Sequence, residues 1–305
     1  MRCIQVPHLF FAAAAAVPAA VWRNFFGNKC MRTILVCTDF SASANHATEY
    51  AAMLATRFNF PRITLYHAYQ VVAPTTDLPV APYVGTELYN SVERKLNDLA
   101  VKVGELTGTD VVVDVRGEEL SLGENINEIC KQEDAHLIVT GVSEKSGLEK
   151  MIVGSTALRI SEAGRCPVLM VPLDAPVVPP QRVLLACDLE KVSEATPLDA
   201  LDKVLEAFQA QLVVINVDDG NRRFSPASVE EIHRLHHIFD KYKPEYAFVE
   251  HKEIAEGILD YAKEHDISLV ITIPRYYNFL RNLFHKSTTK SLVYNSKLPL
   301  LTLHE

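Results

Sequence analysis

The chain has 305 residues, enough for two domains at about 150 residues each. Hydrophobic residues make up 48% and charged residues 22%, the composition of a globular protein and not of a disordered one. Acidic residues outnumber basic ones 38 to 30, a formal net charge of −8; this lacks the basic footprint of a protein that grips a phosphodiester backbone, so nucleic acid is not an expected partner. The six Cys stand at positions 3, 30, 37, 130, 166 and 187, with no CxxC and no Cys/His metal spacing. Such usage fits reduced, intracellular thiols better than a disulfide framework or a zinc site.

Residues 3–22 carry no Asp, Glu, Lys or Arg, about the length of a membrane span. Gln5, Pro7 and His8 confine the strongly apolar part to residues 9–22, too short to cross comfortably. Arg2, the alanine run and an A-x-A-like option near Ala14 make the segment signal-like. The alternatives are a disordered native extension and an upstream stretch ahead of a true start at Met31. The third is favoured, because a strand pattern of cytosolic character begins at Met31. Residues 1–30 are therefore expected to form an extension outside the fold, and the protein is expected to be cytoplasmic, with no membrane involved unless that segment is retained.

From Met31 the chain alternates strand-length apolar runs with longer helical patterns. Residues 33–38 (TILVCT) form a β-branched run ending at Asp39. Ser41 or Ser43 offers an N-cap for a helix through about residue 58, whose Ala47, Tyr50, Ala51 and Leu54 follow the 3, 4 spacing. The pattern then predicts a strand over 63–69, a helix over 87–107, a strand over 111–115, a helix over 125–132 and a buried strand over 136–140 (HLIVT). A helix from about residue 155 and a strand over 168–171 close the unit. Strands and helices alternating at this spacing argue for parallel βαβ units in an open α/β sheet.

The second half repeats the order. Residues 183–187 lead to Asp188 as 33–38 lead to Asp39, 212–217 match the strand carrying His67, and 269–273 match 136–140. Leu298-Pro299-Leu300-Leu301 matches Cys166-Pro167-Val168-Leu169, with Pro at the head of a strand, one of the few sheet positions that tolerates it. Asp39 to His67 is 28 residues and so is Asp188 to Asn216; from there to the strand-leading proline is 100 residues in the first copy and 83 in the second. The surplus of 17 falls after the second strand, where the Pro-rich residues 70–84 read as a loop excursion. The expected domains are 31–173 and a diverged 181–305, joined by a stiff Pro-rich linker over 174–180.

Taken together, the strand ending in Asp39-Phe40-Ser41, Leu137-Ile138-Val139-Thr140-Gly141, Gly147-Leu148, Gly154-Ser155-Thr156 and Cys166-Pro167-Val168-Leu169-Met170-Val171-Pro172 resemble the universal stress protein (UspA) family in its tandem two-domain form. The resemblance covers residues 31–172 and, in outline, 182–304. It implies two Rossmann-like (adenine nucleotide alpha hydrolase-like) α/β domains, each an open five-stranded parallel sheet of order 3-2-1-4-5 with helices on both faces. It also implies that the domains pair edge to edge through their last strands as an internal pseudo-dimer, with a homodimer as a further candidate assembly. Many members bind ATP and others do not, and the fold is shared with enzymes that adenylate substrates.

In ATP-binding members the signature is G-x2-G-x9-G-[S/T]. Here the first Gly is Gly141, the last pair is Gly154-Ser155, and Glu144 occupies the place of the second Gly. Gly141 is expected to let the chain turn sharply off its strand, and Gly154 to leave backbone N–H groups open at a helix start. Ser155 and Thr156 add hydroxyl donors where the helix dipole favours phosphate. Asp39 lies at the carboxyl end of the first strand, beside the switch point where such sheets bind ligands. By resemblance, Asp39 and Ala68 flank the adenosine end. The expected binding set is thus Asp39, Ala68, Gly141, Gly154, Ser155 and Thr156, with ATP as the ligand and Mg²⁺ as its candidate companion. Glu144 places a Cβ where positive φ is favoured and a carboxylate near phosphates. Lys145 and Lys150 offset that charge in part; Glu144 pointing outward, or holding Mg²⁺ through water, is the other option. Gly141 and Gly154 equally suit a turn and a helix cap with no ligand.

The second copy reads Ile273-Pro274-Arg275-Tyr276-Tyr277-Asn278-Phe279 opposite the glycine loop, with Lys286-Ser287-Thr288 in place of Gly154-Ser155-Thr156. With no glycine left, a phosphate cradle of the family type is not expected there. His285-Lys286-Ser287 could attract an anion at a helix start, although a solvated basic loop explains it as well. His233, His236 and His237 have a metal-compatible i, i+3, i+4 spacing, but Ile232, Leu235 and Phe239 explain their helix as core packing, and no metal site is assigned. His46 and Glu49 on the first helix have no nucleophile partner. Cys37, Cys130, Cys166 and Cys187 lie in or beside apolar runs and read as buried thiols. No G-x-S-x-G, HExxH or Walker motif occurs, so no catalytic residue is assigned. Three functions compete. The first is a stress-response or regulatory protein whose first domain binds an adenine nucleotide. The second is a nucleotide-free interaction protein presenting the domain pair and residues 70–84. The third is a slow ATPase or adenylate-transferring enzyme using Asp39 and Ser155 with Mg²⁺.

Overall fold

In the computed structural model the described residues are 31–70, 83–142, 155–163, 166–189, 192, 196–218, 220, 226–273 and 298–303. The first half runs β1 (Thr33–Cys37), α1 (Ala42–Phe58), β2 (Arg62–Tyr69), α2 (Tyr83–Thr107), β3 (Val112–Glu119), α3 (Leu122–Gln132), β4 (Leu137–Val142), α4 (Ser155–Ala163) and β5 (Val168–Pro172). The second half repeats it as β6 (Arg182–Ala186), α5 (Leu198–Phe208), β7 (Gln211–Asp218), α6 (Pro226–Phe239), β8 (Glu245–Glu250), α7 (Ile254–Glu264), β9 (Leu269–Thr272) and β10 (Leu300–Thr302). Residues 1–30, Glu144 with Lys145 and Lys150, Gly154, and residues 274–297 lie outside the described residues. So does most of the expected 70–84 excursion, whose last two residues, Tyr83 and Val84, prove to be helical and open α2.

The strands form one ten-stranded sheet of order β3-β2-β1-β4-β5-β10-β9-β6-β7-β8. Each half therefore has the sequence order 3-2-1-4-5, and its described strand pairs are parallel. The halves meet antiparallel at the last strands, with Leu169 opposite Leu301 and Met170 opposite Leu300. The expected edge-to-edge pairing is thus an ordinary sheet ladder within one chain.

Alternation along β1 sorts its side chains between two layers. Ile34 and Val36 join a core with Tyr50 and Leu54 of α1, Leu96 of α2, Leu201 of α5 and Phe239 of α6. Leu35 and Cys37 face a second core with Ile126 and Ile129 of α3, Ile160 of α4 and Ile258 of α7. With helices on both faces, β1 is buried throughout, which is why its sequence reads as a continuous apolar run. Each fully buried Leu or Ile contributes about 1.5–3 kcal/mol. Both cores cross the junction between the halves, and the Phe58 and Phe208 rings, near the ends of α1 and α5, stand 5.1 Å apart.

The repeat extends to the backbone. Left-handed residues recur at matching turns: Phe40 and Leu189 after the first strand of each half, Asn59 and Gln209 capping α1 and α5, and Asp134 and Asp266 after α3 and α7. The largest departure from the expected elements is β3, which runs to Glu119, beyond the expected end at residue 115. Its Asp114, Arg116 and Glu118 break the apolar pattern because they pair with neighbours on one face. Asp114 holds Arg62, Arg116 bridges Glu118 and Glu133, and Glu118 accepts the Tyr66 hydroxyl at 2.5 Å.

Candidate functional site at the first-strand switch point

β1 lies between β2 and β4, so the chain leaves its carboxyl end in one direction through α1 while the β4 connection leaves in the other. Open α/β sheets bind ligands at such a divergence. The turn there is tightly specified. The Thr38 N–H donates to Tyr66 O at 2.9 Å, carrying the ladder one residue past β1. Phe40 takes φ +63, and its N–H donates to Thr38 Oγ1 at 3.0 Å. The Ser41 N–H donates to Asp39 Oδ1 at 3.0 Å, an Asx turn. Ser41 Oγ then accepts the Ala44 N–H at 3.2 Å as the N-cap of α1, deciding between the two serines. A left-handed non-glycine residue costs about 1–2 kcal/mol, which the hydrogen bonds made by the Phe40, Ser41 and Ala44 N–H groups offset. Asp39 is left exposed at the mouth of the turn.

Gly141 serves a different purpose from the one expected. It lies inside β4, paired with Val171, and its φ is not left-handed. A Cβ built on it would stand 2.3 Å from Ser43 O and 2.6 Å from Ala44 N. The first turn of α1 therefore rests on the β4 backbone, and only a residue without a side chain admits that approach. In this way Gly141 and Asp39 are brought together through α1. Ser155 and Thr156 open α4. Helix α4 packs closely on α3, where Gly123 faces Arg159 and Asn127 Nδ2 donates to Ala163 O at 2.7 Å. Ala68 lies on β2 and turns to the α3/α4 layer.

His67 and Phe40 also build this turn, and sequence reasoning did not single them out for it. The His67 Nδ1–H donates to Thr38 O at 2.7 Å; since a carbonyl only accepts, this fixes the proton on Nδ1. The ring packs 4.6 Å from Phe40 and 6.3 Å from Tyr69, and Lys95 Nζ lies 5.4 Å from the Phe40 centroid, within cation–π range. The second copy repeats the device, with Asn216 Nδ2 donating to Cys187 O at 2.9 Å. The shared 28-residue spacing was the available signal: it marks a side chain that ties the second strand back to the first turn. The register of β4 on β1 and of β9 on β6 places Ile273 where Gly141 stands, so the second copy has a side chain at the position of close approach.

The remaining candidates fall into structural roles. His46 Nε2 donates to Ala175 O at 2.7 Å, pinning the Pro-rich connection across α1. His236 packs its ring 4.1 Å from Tyr246, with Nδ1 3.5 Å from Asp240, while Leu235 and Phe239 are buried. Among the described residues, no cluster of three or more His, Cys, Asp or Glu is placed to hold a metal. Burial pushes the Cys37 thiol up to about 12. No helix among the described residues is long and apolar enough to cross a membrane.

Two doubly wound α/β repeats sharing one sheet, each with a capped or left-handed turn at the end of its first strand, define a tandem Rossmann-like protein. The universal stress protein family profile matches residues 31–172 and again 180–304. A universal stress protein of Methanocaldococcus jannaschii is 30% identical over 149 residues, 48% of this chain and 84% of its own length. A Bacillus subtilis universal stress protein is 27% identical over 143 residues, 45% of this chain and 97% of its own length. The crystal structure of a universal stress protein from Archaeoglobus fulgidus aligns with a TM-score of 0.66 at 17% identity, covering 89% of this chain and 98% of that one. The fold likeness thus spans both halves. The chain belongs to the universal stress protein family, as a tandem of two such domains.

Proposed function

We propose that the first domain binds an adenine nucleotide, with ATP as the ligand, and that the protein acts in stress response or regulation in the cytoplasm through that occupancy and not as a catalyst. The observation that carries this reading is the seating of α1 on Gly141 beside the exposed Asp39 turn, which sets the crevice of the β1/β4 switch point. The N-terminus of α4, at Ser155 and Thr156, follows the β4 connection, and its first N–H groups lack intrahelical partners. A polyphosphate suits that end by its charge and by the helix dipole. Asp39 and Ala68 flank the adenosine end, and Mg²⁺ would accompany the phosphates as a hard cation taking oxygen ligands. The second domain is mainly structural, because Ile273 fills the position of Gly141. Mass spectrometry of small molecules released from the purified full chain tests the proposal. An adenine nucleotide is expected among them. Its absence, together with no ATP binding by the emptied protein, overturns the reading and leaves an interaction protein.

A further inference from the structure

The bond from His67 to the first turn acts at the place where two strands part. The paired residues of β1 and β2 end at Cys37 and Tyr66, and the Thr38 N–H on Tyr66 O adds one rung. In a continuing parallel ladder the next acceptor, Thr38 O, would take the Ala68 N–H. Here it accepts the His67 Nδ1–H at 2.7 Å instead. Thr38 Oγ1 accepts the Phe40 N–H, so the N–H, the carbonyl and the hydroxyl of this buried threonine are all engaged. The Thr38–Asp39 peptide is planar, so holding its carbonyl also fixes the plane from which Asp39 departs.

The second half repeats the device without the opening. The Cys187 N–H donates to Ile215 O at 2.9 Å, and Cys187 O accepts Asn216 Nδ2 at 2.9 Å. Leu189 takes φ +56 where Phe40 takes φ +63. What differs is the residue that follows. Ala68 is half-buried, whereas Val217, at the corresponding place on β7, is buried. Ile273 also stands where Gly141 does. One bond therefore recurs in two settings, of which only the first leaves room beside the turn.

We propose that His67 is a positioning residue for the nucleotide site: its Nδ1–H draws off the Thr38 carbonyl, so that β1 and β2 part between Asp39 and Ala68. Asn216 makes the same bond for stability alone. This role presupposes adenine-nucleotide binding by the first domain, and His67 acts in it through Thr38 without touching the ligand. The chemistry of the side chains supplies the test variants. Nδ1 of His and Nδ2 of Asn are both bonded to Cγ, so an asparagine at position 67 reaches the same carbonyl, as Asn216 does in the second half. Phenylalanine keeps a ring beside Phe40 and Tyr69 but places a C–H where the donor was.

The test titrates Mg²⁺ and ATP calorimetrically into nucleotide-free full chains of wild type, His67→Phe, His67→Asn and Asn216→Ala, with the urea midpoint of each measured alongside. His67→Phe is expected to bind ATP about tenfold more weakly, the scale of one lost hydrogen bond. His67→Asn is expected to bind as wild type does. Asn216→Ala is expected to lower the urea midpoint and leave ATP affinity unchanged. Wild-type affinity in His67→Phe, or His67→Asn as weak as His67→Phe, overturns the proposal. So does an Asn216→Ala chain that loses as much ATP affinity as His67→Phe, because the loss would then follow stability and not position. A folded wild-type chain that binds no ATP overturns the nucleotide reading itself, and the role of His67 with it.

Discussion

Substituting Gly141 by Ala tests the packing that positions the switch-point site. The new methyl carbon would stand 2.3 Å from Ser43 O, 2.4 Å from Ser43 C and 2.6 Å from Ala44 N. All three are backbone atoms of the first turn of α1, so no rotamer change relieves the overlap. To restore ordinary contact at about 3.5 Å, the helix start must retreat by roughly 1 Å. Overpacking of this kind costs about 1–3 kcal/mol, and loosening the Ser41 cap adds about 1 kcal/mol. The expected loss is thus ~2–4 kcal/mol, a large share of the ~5–15 kcal/mol that holds a domain folded. Equilibrium urea unfolding should show a lower midpoint at unchanged m, with ATP affinity falling alongside it. Two other glycines calibrate the result. At Gly117 the Cβ meets Val92 Cγ1 at 2.9 Å, a side-chain methyl and not backbone; Val92 is stiff at χ1 in its helix, so Gly117→Ala should cost about 1 kcal/mol, the low end for overpacking. At Gly104, in α2, nothing lies within 4 Å, so Gly104→Ala should gain ~0.5–1 kcal/mol. A Gly141→Ala protein as stable as the Gly104→Ala protein would refute the reasoning.

Leu301→Ala opens a cavity where β10 meets β5: Leu301 is fully buried, sits opposite Leu169 and belongs to the core that spans both halves. Its cost should be ~2–5 kcal/mol, read as a lower urea midpoint for the first and second halves together; loss confined to the second half would contradict a continuous core. The Glu118 carboxyl carries a pH signature. Burial raises its pKa, but the hydrogen bonds from Tyr66 and Arg116 outweigh burial and hold it below the usual carboxylate range. A depressed folded value adds stability above the unfolded value near ~4.3, and that stability is lost as pH falls through the folded value. Tyr66→Phe should therefore be less stable than wild type at neutral pH, with the difference shrinking below about pH 4. A thermal-melt difference that grows on acidification would reverse the assignment.

The succession of strands and helices along each half followed from signals the sequence carries openly, whereas the strand order 3-2-1-4-5 came through the family resemblance. Residues 33–38 and 183–187 are apolar on both faces because both faces are covered, and Ser41 sits where an N-cap must. The edge pairing of β5 and β10 came through family resemblance, since nothing in the periodicity of residues 168–171 or 298–301 says which edge meets which. β3 was cut short because Asp114, Arg116 and Glu118 look like solvent-facing residues until Arg62, Tyr66 and Glu133 are seen beside them. Gly141 was identified as special, but a sequence does not distinguish a glycine needed for its φ from one needed for a neighbour's approach; here the neighbour is 98 positions earlier, at Ser43. His67 showed the same limit, since a spacing shared with Asn216 marks a common role without revealing that both side chains hold the first-strand turn.

Calorimetric titration of Mg²⁺ and ATP into the nucleotide-free full chain tests the central claim most directly. The account predicts one equivalent bound per chain at micromolar affinity, weakened at least tenfold by Asp39→Ala. Two equivalents per chain, or no heat at millimolar ATP from a protein that remains folded, would contradict it.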